Sequence, residues 1–243
     1  MSGHSHWATI KHKKGAADAK KGKMFSKLAK YIITAARNGG GDLDSNFKLR
    51  DAVEKARAVS MPRDNIERAI RRGSGAEDGI IFEELTYECY APGGVAILVD
   101  ILTDNRNRTS AELRKIVERA GGSMGAVGSV AWLFEKKALV TLEKSLIDED
   151  HLLELALDAG ATDVVDGGEL WEVTGAPEDL RAIKEALTKK GLALKTAEVA
   201  KVPKTYVPVD AARAQKILNF LEDLEDHDDV QSVSANPDMP EGM

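Results

Sequence analysis

The chain has very little cysteine and no long apolar run. Cys89 is the only cysteine among 243 residues, so a disulfide framework is excluded and a reducing compartment is expected. No apolar stretch approaches the roughly 18 residues of a membrane-spanning helix. The first residues also have no apolar core of the kind found in a secretory signal. We therefore expect a cytoplasmic protein that has no contact with a membrane.

Motifs of familiar catalytic and metal sites are missing as well. The sequence contains no Gly-Lys-Ser or Gly-Lys-Thr phosphate loop and no His-Glu-x-x-His zinc motif. His4, His6 and His12 stand close together near the start, but no cysteine or carboxylate is nearby to complete a ligand set, and the adjacent lysines oppose a dication. We predict no catalytic residues, no cofactor and no metal site.

Positive charge is concentrated in the first third of the chain. Residues 1–75 hold 17 Lys+Arg against 7 Asp+Glu, a net charge of +10, whereas the remaining 168 residues hold 17 against 33, a net charge of -16. Phosphate binding depends on the local density of Lys and Arg, because charges are screened beyond about 8 Å at physiological salt. The basic front therefore predicts a nucleic-acid partner, although the whole chain has a net charge of -6.

Residues 1–22 are predicted to form a flexible basic arm. They show no sustained hydrophobic period, and Gly15 and Gly22 interrupt any helix that the alanines favour. Cationic, imidazole and indole side chains in this arm are suited to neutralise phosphates or stack on a base. Trp7 is equally suited to anchor the arm in a core. The predicted nucleic-acid contacts of the arm are His4, Trp7, Lys11, His12, Lys13, Lys14, Lys20 and Lys21.

Residues 23–75 are predicted to form an all-α basic domain of three helices. Apolar residues recur at helical spacing from about Lys23 to Arg37, from 46 to 60 and from 63 to 72. In the first of these helices the basic residues form a strip on a separate face, so the helix would pack and bind at once. Substituting its lysines should then weaken binding with little loss of stability. The predicted contacts are Lys23, Lys27, Lys30, Arg37, Arg68, Arg71 and Arg72.

After the glycine-rich linker at 73–75 the pattern changes to alternation. Two alternating runs flank Pro92-Gly93-Gly94, which predicts an antiparallel hairpin. Thr109 to Glu112 has the form of a capping box opening a helix, and Ser129–Phe134 resumes as a strand. We predict an α+β protein of three domains: the helical domain, a discontinuous α+β domain of residues 76–135 plus 205–243 completed by the C-terminal helix and strand, and an inserted α+β domain of residues 136–204.

Thr103–Thr109 concentrates planar hydrogen-bonding side chains where a strand meets a helix N-terminus. Backbone N–H groups and the helix dipole favour an anion at such a junction. Asn105, Arg106 and Arg108 are therefore candidates for a second nucleic-acid contact. The alternative is a capped turn in which Asp104 and Asn105 satisfy the backbone while the arginines point to water. Both interpretations stay open at the sequence level.

Two further stretches are interpreted without a binding role. The run Gly121–Gly128 follows a helix and precedes a strand, the reverse of a dinucleotide-binding loop, so we predict a flexible connection and not a phosphate cradle. The acidic stretch Glu222–Asp229 is predicted to be a solvated face. Such a face would repel nucleic acid and orient the protein with its basic front inward.

Three segments carry a resemblance to a known family. GHSHWATIKHKKGAADAKKGKMF, MPRDNIERAIRRG, and YECYAPGGVAILVDILTDNRNRTSAELR followed by GSVAWLF closely resemble the YebC/PmpR family over nearly the whole chain. The family typically has Lys where His6 stands and Asn where Thr9 stands, so a contact at either position would differ here. The resemblance implies a helical N-terminal domain with two α+β domains, one of them closed by C-terminal residues.

The resemblance also implies a non-enzymatic role in gene expression. The first description is a cytoplasmic transcriptional regulator that binds double-stranded DNA through its basic N-terminal region. The second is a ribosome-associated RNA-binding factor that relieves translational stalls at proline-rich sequences, with ribosomal RNA and the ribosome as partners; the family includes the mitochondrial translational activator of cytochrome c oxidase I. A protein-interaction adaptor with an acidic docking surface is a further alternative from the residues themselves. Neither the choice of nucleic acid nor the oligomeric state is predicted.

Overall fold

The computed structural model describes residues 18–75 and 81–240, with side chains from Lys21 onward. The helices within these residues are α1 Asp18–Gly39, α2 Phe47–Ala58, α3 Arg63–Ser74, α4 Arg106–Arg119, α5 Glu149–Asp158, α6 Leu180–Lys189 and α7 Ala211–Glu225. The strands are β1 Glu83–Ala91, β2 Val95–Thr103, β3 Ser123–Met124, β4 Phe134–Glu143, β5 Ala161–Asp166, β6 Leu170–Gly175, β7 Leu194–Pro203, β8 Val207–Pro208, β9 Val230–Ala235 and β10 Pro237–Asp238. None of the described helices is long and apolar enough to cross a bilayer.

The first three helices pack around their own apolar core. Fully buried side chains from α1 and α2, among them Ile32 and Leu49, meet the inner face of α3. Gly73 allows α3 to approach α1 closely, since a Cβ at this position would lie 2.4 Å from the carbonyl oxygen of Ile33. Asn46 caps α2 and also donates to the carbonyl of Ala35 over 2.8 Å. The helix turn at the end of α1 is therefore tied to the start of α2.

Helix α1 begins at Asp18, five residues before the predicted start. The last five residues of the predicted flexible arm are thus helical, and that boundary was wrong. Gly22 costs roughly 1 kcal/mol relative to alanine inside a helix. An established helix nevertheless extends readily, because each added residue contributes one more hydrogen bond.

The first sheet has the order β3-β1-β2-β9 and is antiparallel throughout. Helices α4 and α7 cover one face, where Leu113 and Phe220 pack against the inward residues of β2. Strand β9 joins from the far end of the chain and places Val233 opposite Val99. The C-terminal helix and strand therefore complete a sheet begun by residues 83–103, and the predicted α+β class with a discontinuous unit is confirmed.

The second sheet has the order β5-β6-β4-β7, with α5 and α6 on one face. Its central strand β4 runs from Phe134 to Glu143, and residues 131–133 before it form a short 3-10 turn. The prediction of a strand over Ser129–Phe134 was wrong, because the backbone there curls around a buried carboxylate described below.

The units are joined by polar contacts at their surfaces. Asp100 on β2 accepts a hydrogen bond from Lys201 on β7 over 2.5 Å and one from Thr86 over 2.8 Å, while Ser232 donates to its other oxygen over 2.9 Å. The bond from Lys201 connects the helix-free face of the first sheet to the edge strand of the second, and the bonds from Thr86 and Ser232, which belong to the first sheet, hold the carboxylate in place.

Candidate nucleic-acid interface

Three lysines of α1 contact the end of α7. Lys23 Nζ donates to the carbonyl of Asp226 over 3.3 Å, and Lys27 Nζ donates to the carbonyl of Glu225. Lys30 Nζ reaches the carbonyl of Asp228 over 3.2 Å and the carboxylate of Asp229 over 2.6 Å. The predicted solvent-facing strip is a docking face in the structure. The last carbonyls of a helix have no intrahelical partner and carry the negative end of its dipole, so they attract cations.

Lys27 lies deepest in this contact. Burial lowers its pKa below the ordinary value, although the nearby charges of Glu225, Asp226 and Asp228 act in the opposite direction. Its aliphatic stem packs between the helices while its ammonium group satisfies a carbonyl at the end of α7. The lysine thus serves the contact between the front helices and the C-terminal helix.

We expect Lys27→Met to lower the free energy of unfolding by about 1–2 kcal/mol, because the change keeps the apolar stem and removes a charged hydrogen-bond donor. The sequence predicts little loss of stability on substitution of the lysines of α1, and the contact with α7 changes that prediction. Urea unfolding followed by circular dichroism measures the effect. Lys48→Met is the matched control, since Lys48 is exposed on α2 and makes no ion pair with the described residues. Equal unfolding midpoints for the two variants would show that Lys27 does not hold the units together.

The Thr103–Thr109 segment forms a capped turn. Asn105 is the N-cap of α4, and its side-chain oxygen accepts from the Arg108 amide over 3.1 Å. The helix therefore begins at Arg106, and the prediction that a capping box opens it at Thr109 was wrong. Arg108 Nη2 lies 2.9 Å from both Asp104 Oδ1 and Asp229 Oδ2. Arg106 is exposed and forms no ion pair within the described parts of the chain.

Asp229 is the centre of this polar cluster. Its side chain is only 3% exposed, yet it contacts two cations, Lys30 and Arg108. Thr109 donates to Oδ2 over 2.7 Å, and the hydroxyl of Thr103 lies 3.1 Å from the same oxygen. Burial by itself raises the pKa of Asp229, but the hydrogen bonds from Lys30, Thr109 and Arg108 outweigh it and hold the pKa well below the usual range.

The acidic segment that ends at Asp229 is consequently no simple solvated face. Asp223 pairs with Arg119 over 2.9 Å, and His227 Nε2 lies 2.9 Å from a carboxylate oxygen of Glu112. Several acids of the predicted face are therefore used to attach α7 to α4 and α1. The sequence interpretation was wrong here because segment composition does not show which charges meet partners from distant helices.

Three of the predicted contacts that stay exposed are arginines of α3. Arg68 and Arg71 lie three positions apart on its exposed face, opposite the buried Ile66 and Ala69, and neither forms an ion pair with the described residues. Arg72 and Lys21 are also exposed, and Arg37 is half-buried. The structure thus brings the α3 arginines onto one surface, whereas Arg106 and Arg108 belong to α4. The remaining predicted contacts, His4, Trp7, Lys11, His12, Lys13 and Lys14, lie outside the described residues, as does the side chain of Lys20.

Glu88 organises the connection between α4 and β4. This carboxylate is 7% exposed and accepts hydrogen bonds from the backbone N–H groups of Gly128, Val130 and Ala131 over 2.6, 2.5 and 3.0 Å. Burial opposes ionisation, yet the backbone donors prevail and lower the pKa of Glu88. The predicted flexible connection is therefore anchored, and its donors point toward Glu88 and are not free to cradle a phosphate.

The same connection contains the spacing Gly-x-Ser-x-Gly at residues 121–125, which is typical of a nucleophile elbow in hydrolases. An elbow needs a strand before the serine and a helix after it. Here Ser123 follows helix α4 and lies in β3, paired with Tyr90. The local structure does not fit that chemistry.

Sequence reasoning missed the roles of Asp229 and Glu88. Each is an acid within or beside an apolar strand, and the alternating pattern of such a strand predicts that an acid faces solvent. The available signal was weak: Asp229 directly precedes β9, and Glu88 lies between Tyr87 and Cys89, where a buried polar group needs dedicated partners.

These features define a class of three-unit α+β proteins with a basic helical front and two antiparallel sheets, the first completed by the C-terminus. A family model described as TACO1/YebC protein N-terminal domain matches residues 5–76, and one described as TACO1/YebC second and third domain matches residues 82–237. The chain belongs to the TACO1/YebC family.

Several relatives are similar over their full length. A protein of Dictyoglomus thermophilum named probable transcriptional regulatory protein is 54% identical over 242 residues, which cover 99% of this chain and 97% of the relative. A protein of Treponema denticola with the same name is 51% identical over 243 residues, covering 100% and 98%. The crystal structure of a conserved hypothetical protein, Aq1575 from Aquifex aeolicus, is similar with a TM-score of 0.87 and 46% identity, covering 98% of this chain and 99% of that one.

Proposed function

We propose that this protein is a non-enzymatic, cytoplasmic regulator of gene expression that binds nucleic acid through its basic front, with double-stranded DNA as the first candidate. The observation that carries the proposal is the exposed face of α3. Arg68 and Arg71 project there without carboxylate partners among the described residues, in a part of the chain that has a net charge of +10 over residues 1–75. The names of the relatives as transcriptional regulatory proteins support the choice of DNA.

The charge distribution also gives the protein a preferred orientation. Phosphates attract the arginine face of α3, whereas the sheets and their helices carry a net charge of -16 over the remaining 168 residues and are repelled. The lysines of α1 that contact α7 do not contribute to this face while the contact is closed. As long as α1 and α7 are in contact, the binding of nucleic acid depends on α3 and on the segment that precedes α1.

An RNA-binding translation factor is the second candidate, and the side chains of α3 favour it. The exposed face of the helix presents mainly arginines and acids, with Asn65, one turn before Arg68, as its single amide side chain, and Asn105 is used as a helix cap. Arginine alone positions a protein on phosphates, while reading a DNA sequence in the major groove usually needs further base-specific side chains. A surface of this kind is well suited to folded RNA. The adaptor alternative loses support, because two acids of its proposed docking surface, Asp223 and Asp229, pair within the protein.

Binding as a function of salt tests the proposal. The full chain and the double variant Arg68→Gln/Arg71→Gln are titrated into a fluorescein-labelled DNA duplex and, separately, an RNA hairpin, with anisotropy as the measurement. We expect the variant to bind more weakly and to reduce the slope of log K against log salt by about 2, because two phosphate contacts are lost.

Arg114→Gln/Lys115→Gln is the matched control, since it removes the same charge from exposed positions on α4. Equal losses in both variants would show that only overall charge matters and would contradict an interface on α3. The ratio of the affinities for duplex and hairpin decides between the two candidates.

A further inference from the structure

Trp132 and Val127 stand in the solvent on the loop that Glu88 anchors. The indole side chain is 65% exposed and the valine side chain is 99% exposed. The indole is nevertheless held in one orientation, because its Nε1 donates to the carbonyl of Ser129 over 3.0 Å. The hydroxyl of Tyr90 donates to the same carbonyl over 3.0 Å. The exposed ring is therefore fixed to the first sheet.

The backbone around the ring is fixed as well. Glu88 binds the amides of Val130 and Ala131, directly before Trp132, and Val130 itself is fully buried against Ala96 and Leu98. Keeping an indole in water forgoes roughly 25 cal/mol for each Å² of apolar surface left unburied. The exposed indole therefore adds nothing to the stability of the fold. Exposed apolar side chains of this kind are typical of binding sites.

Two exposed lysines lie on the strand ends that adjoin this loop, although this part of the chain is acidic. Pairing of β4 with β7 places Lys136 opposite Lys201, and the Lys204 amide donates to the carbonyl of Leu133 over 2.8 Å. Lys201 is paired with Asp100, and Lys137 lies 3.8 Å from Glu135. Lys136 and Lys204 are exposed and form no ion pair within residues 18–75 and 81–240. Two lysines without ion-pair partners among these residues therefore lie on the backbone that adjoins the Trp132 loop, Lys136 on β4 and Lys204 directly after β7.

We propose that Trp132, Lys136 and Lys204 bind a single-stranded segment of nucleic acid. An unpaired base stacks on the fixed indole, and the two lysines neutralise the phosphates on either side of it. Every base has a face that stacks on an aromatic ring, so this contact has little sequence preference. The inference rests on the proposed nucleic-acid binding and adds to it a second contact surface, on the sheet domains, that requires unpaired nucleotides.

A protein partner fits this surface less well. Protein interfaces place their apolar residues at a dry centre and are depleted in lysine. Here the large exposed apolar side chains of the described loop are Trp132 and Val127. The adjoining backbone carries the exposed Lys136 and Lys204 together with Glu135. Charge complementarity therefore favours a polyanion with exposed bases.

Fluorescence anisotropy of the full chain with a labelled single-stranded oligouridine and with a labelled DNA duplex tests the proposal. We expect Trp132→Ala to weaken binding to the single strand roughly 10-fold, since the stacking of one base on an aromatic side chain increases the affinity by about that factor or more. Trp132→Phe should retain most of the affinity. The salt slope should stay the same in Trp132→Ala, because stacking releases no counterions, and should fall in Lys136→Gln/Lys204→Gln.

The outcomes separate this inference from the proposed function. If the wild-type chain binds neither probe, both fail. A second outcome is that the wild-type chain binds the probes and Arg68→Gln/Arg71→Gln binds them more weakly, while Trp132→Ala keeps the wild-type affinity for the single strand. The stacking site is then overturned, and the proposed function of the α3 face stands. An equal loss on the duplex would also overturn it, because a paired base is not available to stack. Thermal unfolding of Trp132→Ala near the wild-type midpoint confirms that the loss comes from the missing ring.

Discussion

Asp229→Asn is expected to lower the free energy of unfolding by about 3–5 kcal/mol, the range found when one partner of a buried ion pair is removed. The carboxylate is 3% exposed and contacts Lys30 and Arg108 within 2.9 Å. An amide of the same shape leaves Lys30 without its carboxylate partner and Arg108 with Asp104 alone, and it turns an NH₂ group toward at least one donor. Urea unfolding monitored by circular dichroism measures the change.

Asp228→Asn is the control for this variant. Asp228 is the neighbouring residue and is exposed, and the contact that it makes to Lys30 uses its backbone carbonyl. Its substitution should change the free energy of unfolding by less than about 0.5 kcal/mol. If the two variants have equal stability, the cluster around Asp229 contributes nothing beyond surface charge.

The stability should also fall in acid. The folded-state pKa values of Asp229 and Glu88 lie below their ordinary values. A carboxyl whose pKa is depressed on folding stabilises the protein above its unfolded-state pKa of about 4, and this contribution is lost as the pH falls through the lower folded-state value. The Asp229→Asn variant should therefore show a shallower decline below pH of about 4 than the wild-type chain.

Glu88→Gln is the second change with a large expected effect, a loss of about 2–3 kcal/mol in the free energy of unfolding. Three backbone donors share this buried carboxylate, and the amide presents a donor to at least one of them. Hydrogen exchange of the amides of Gly128, Val130 and Ala131 should accelerate together. That local readout distinguishes a loosened loop from general destabilisation.

Glu84→Gln provides the matched control on the same strand and the same face. Glu84 is exposed and four residues before Glu88, so the substitution removes a carboxylate without touching the loop. Exchange rates in residues 128–131 should stay at wild-type values in this control. Equally slow exchange in Glu88→Gln would show that other contacts hold the loop.

The hairpin of β1 and β2 was predictable from local sequence. Pro92-Gly93-Gly94 separates two alternating runs, and both glycines adopt the positive φ that the tight turn requires, 91° and 83°. The three front helices follow equally from their hydrophobic period. The pairing register of a hairpin and the buried face of a helix depend on residues that are close together in the chain, so the sequence alone predicts them.

The contacts that define the candidate interface were not predictable in this way. Helical period places Lys23, Lys27 and Lys30 on one face of α1, but it does not show whether that face meets water, phosphate or protein. Asp229 bonds to residues 120, 121 and 199 positions away in the chain. Such pairings depend on how whole units dock. Trp132 carried no signal either, since an exposed and a buried tryptophan look identical in a sequence.

The contact between α1 and the end of α7 has a consequence for the chain during its synthesis. Lys30 and Asp229 stand 199 residues apart, and at about 5–20 residues per second the ribosome needs about 10–40 s to add that length. The first three helices have their own core, so we expect them to fold before α7 is made. Throughout this interval the ammonium groups of α1 have no carbonyls to meet. The nascent protein therefore presents a more strongly basic surface than the finished one, and it does so within reach of the ribosome that is making it.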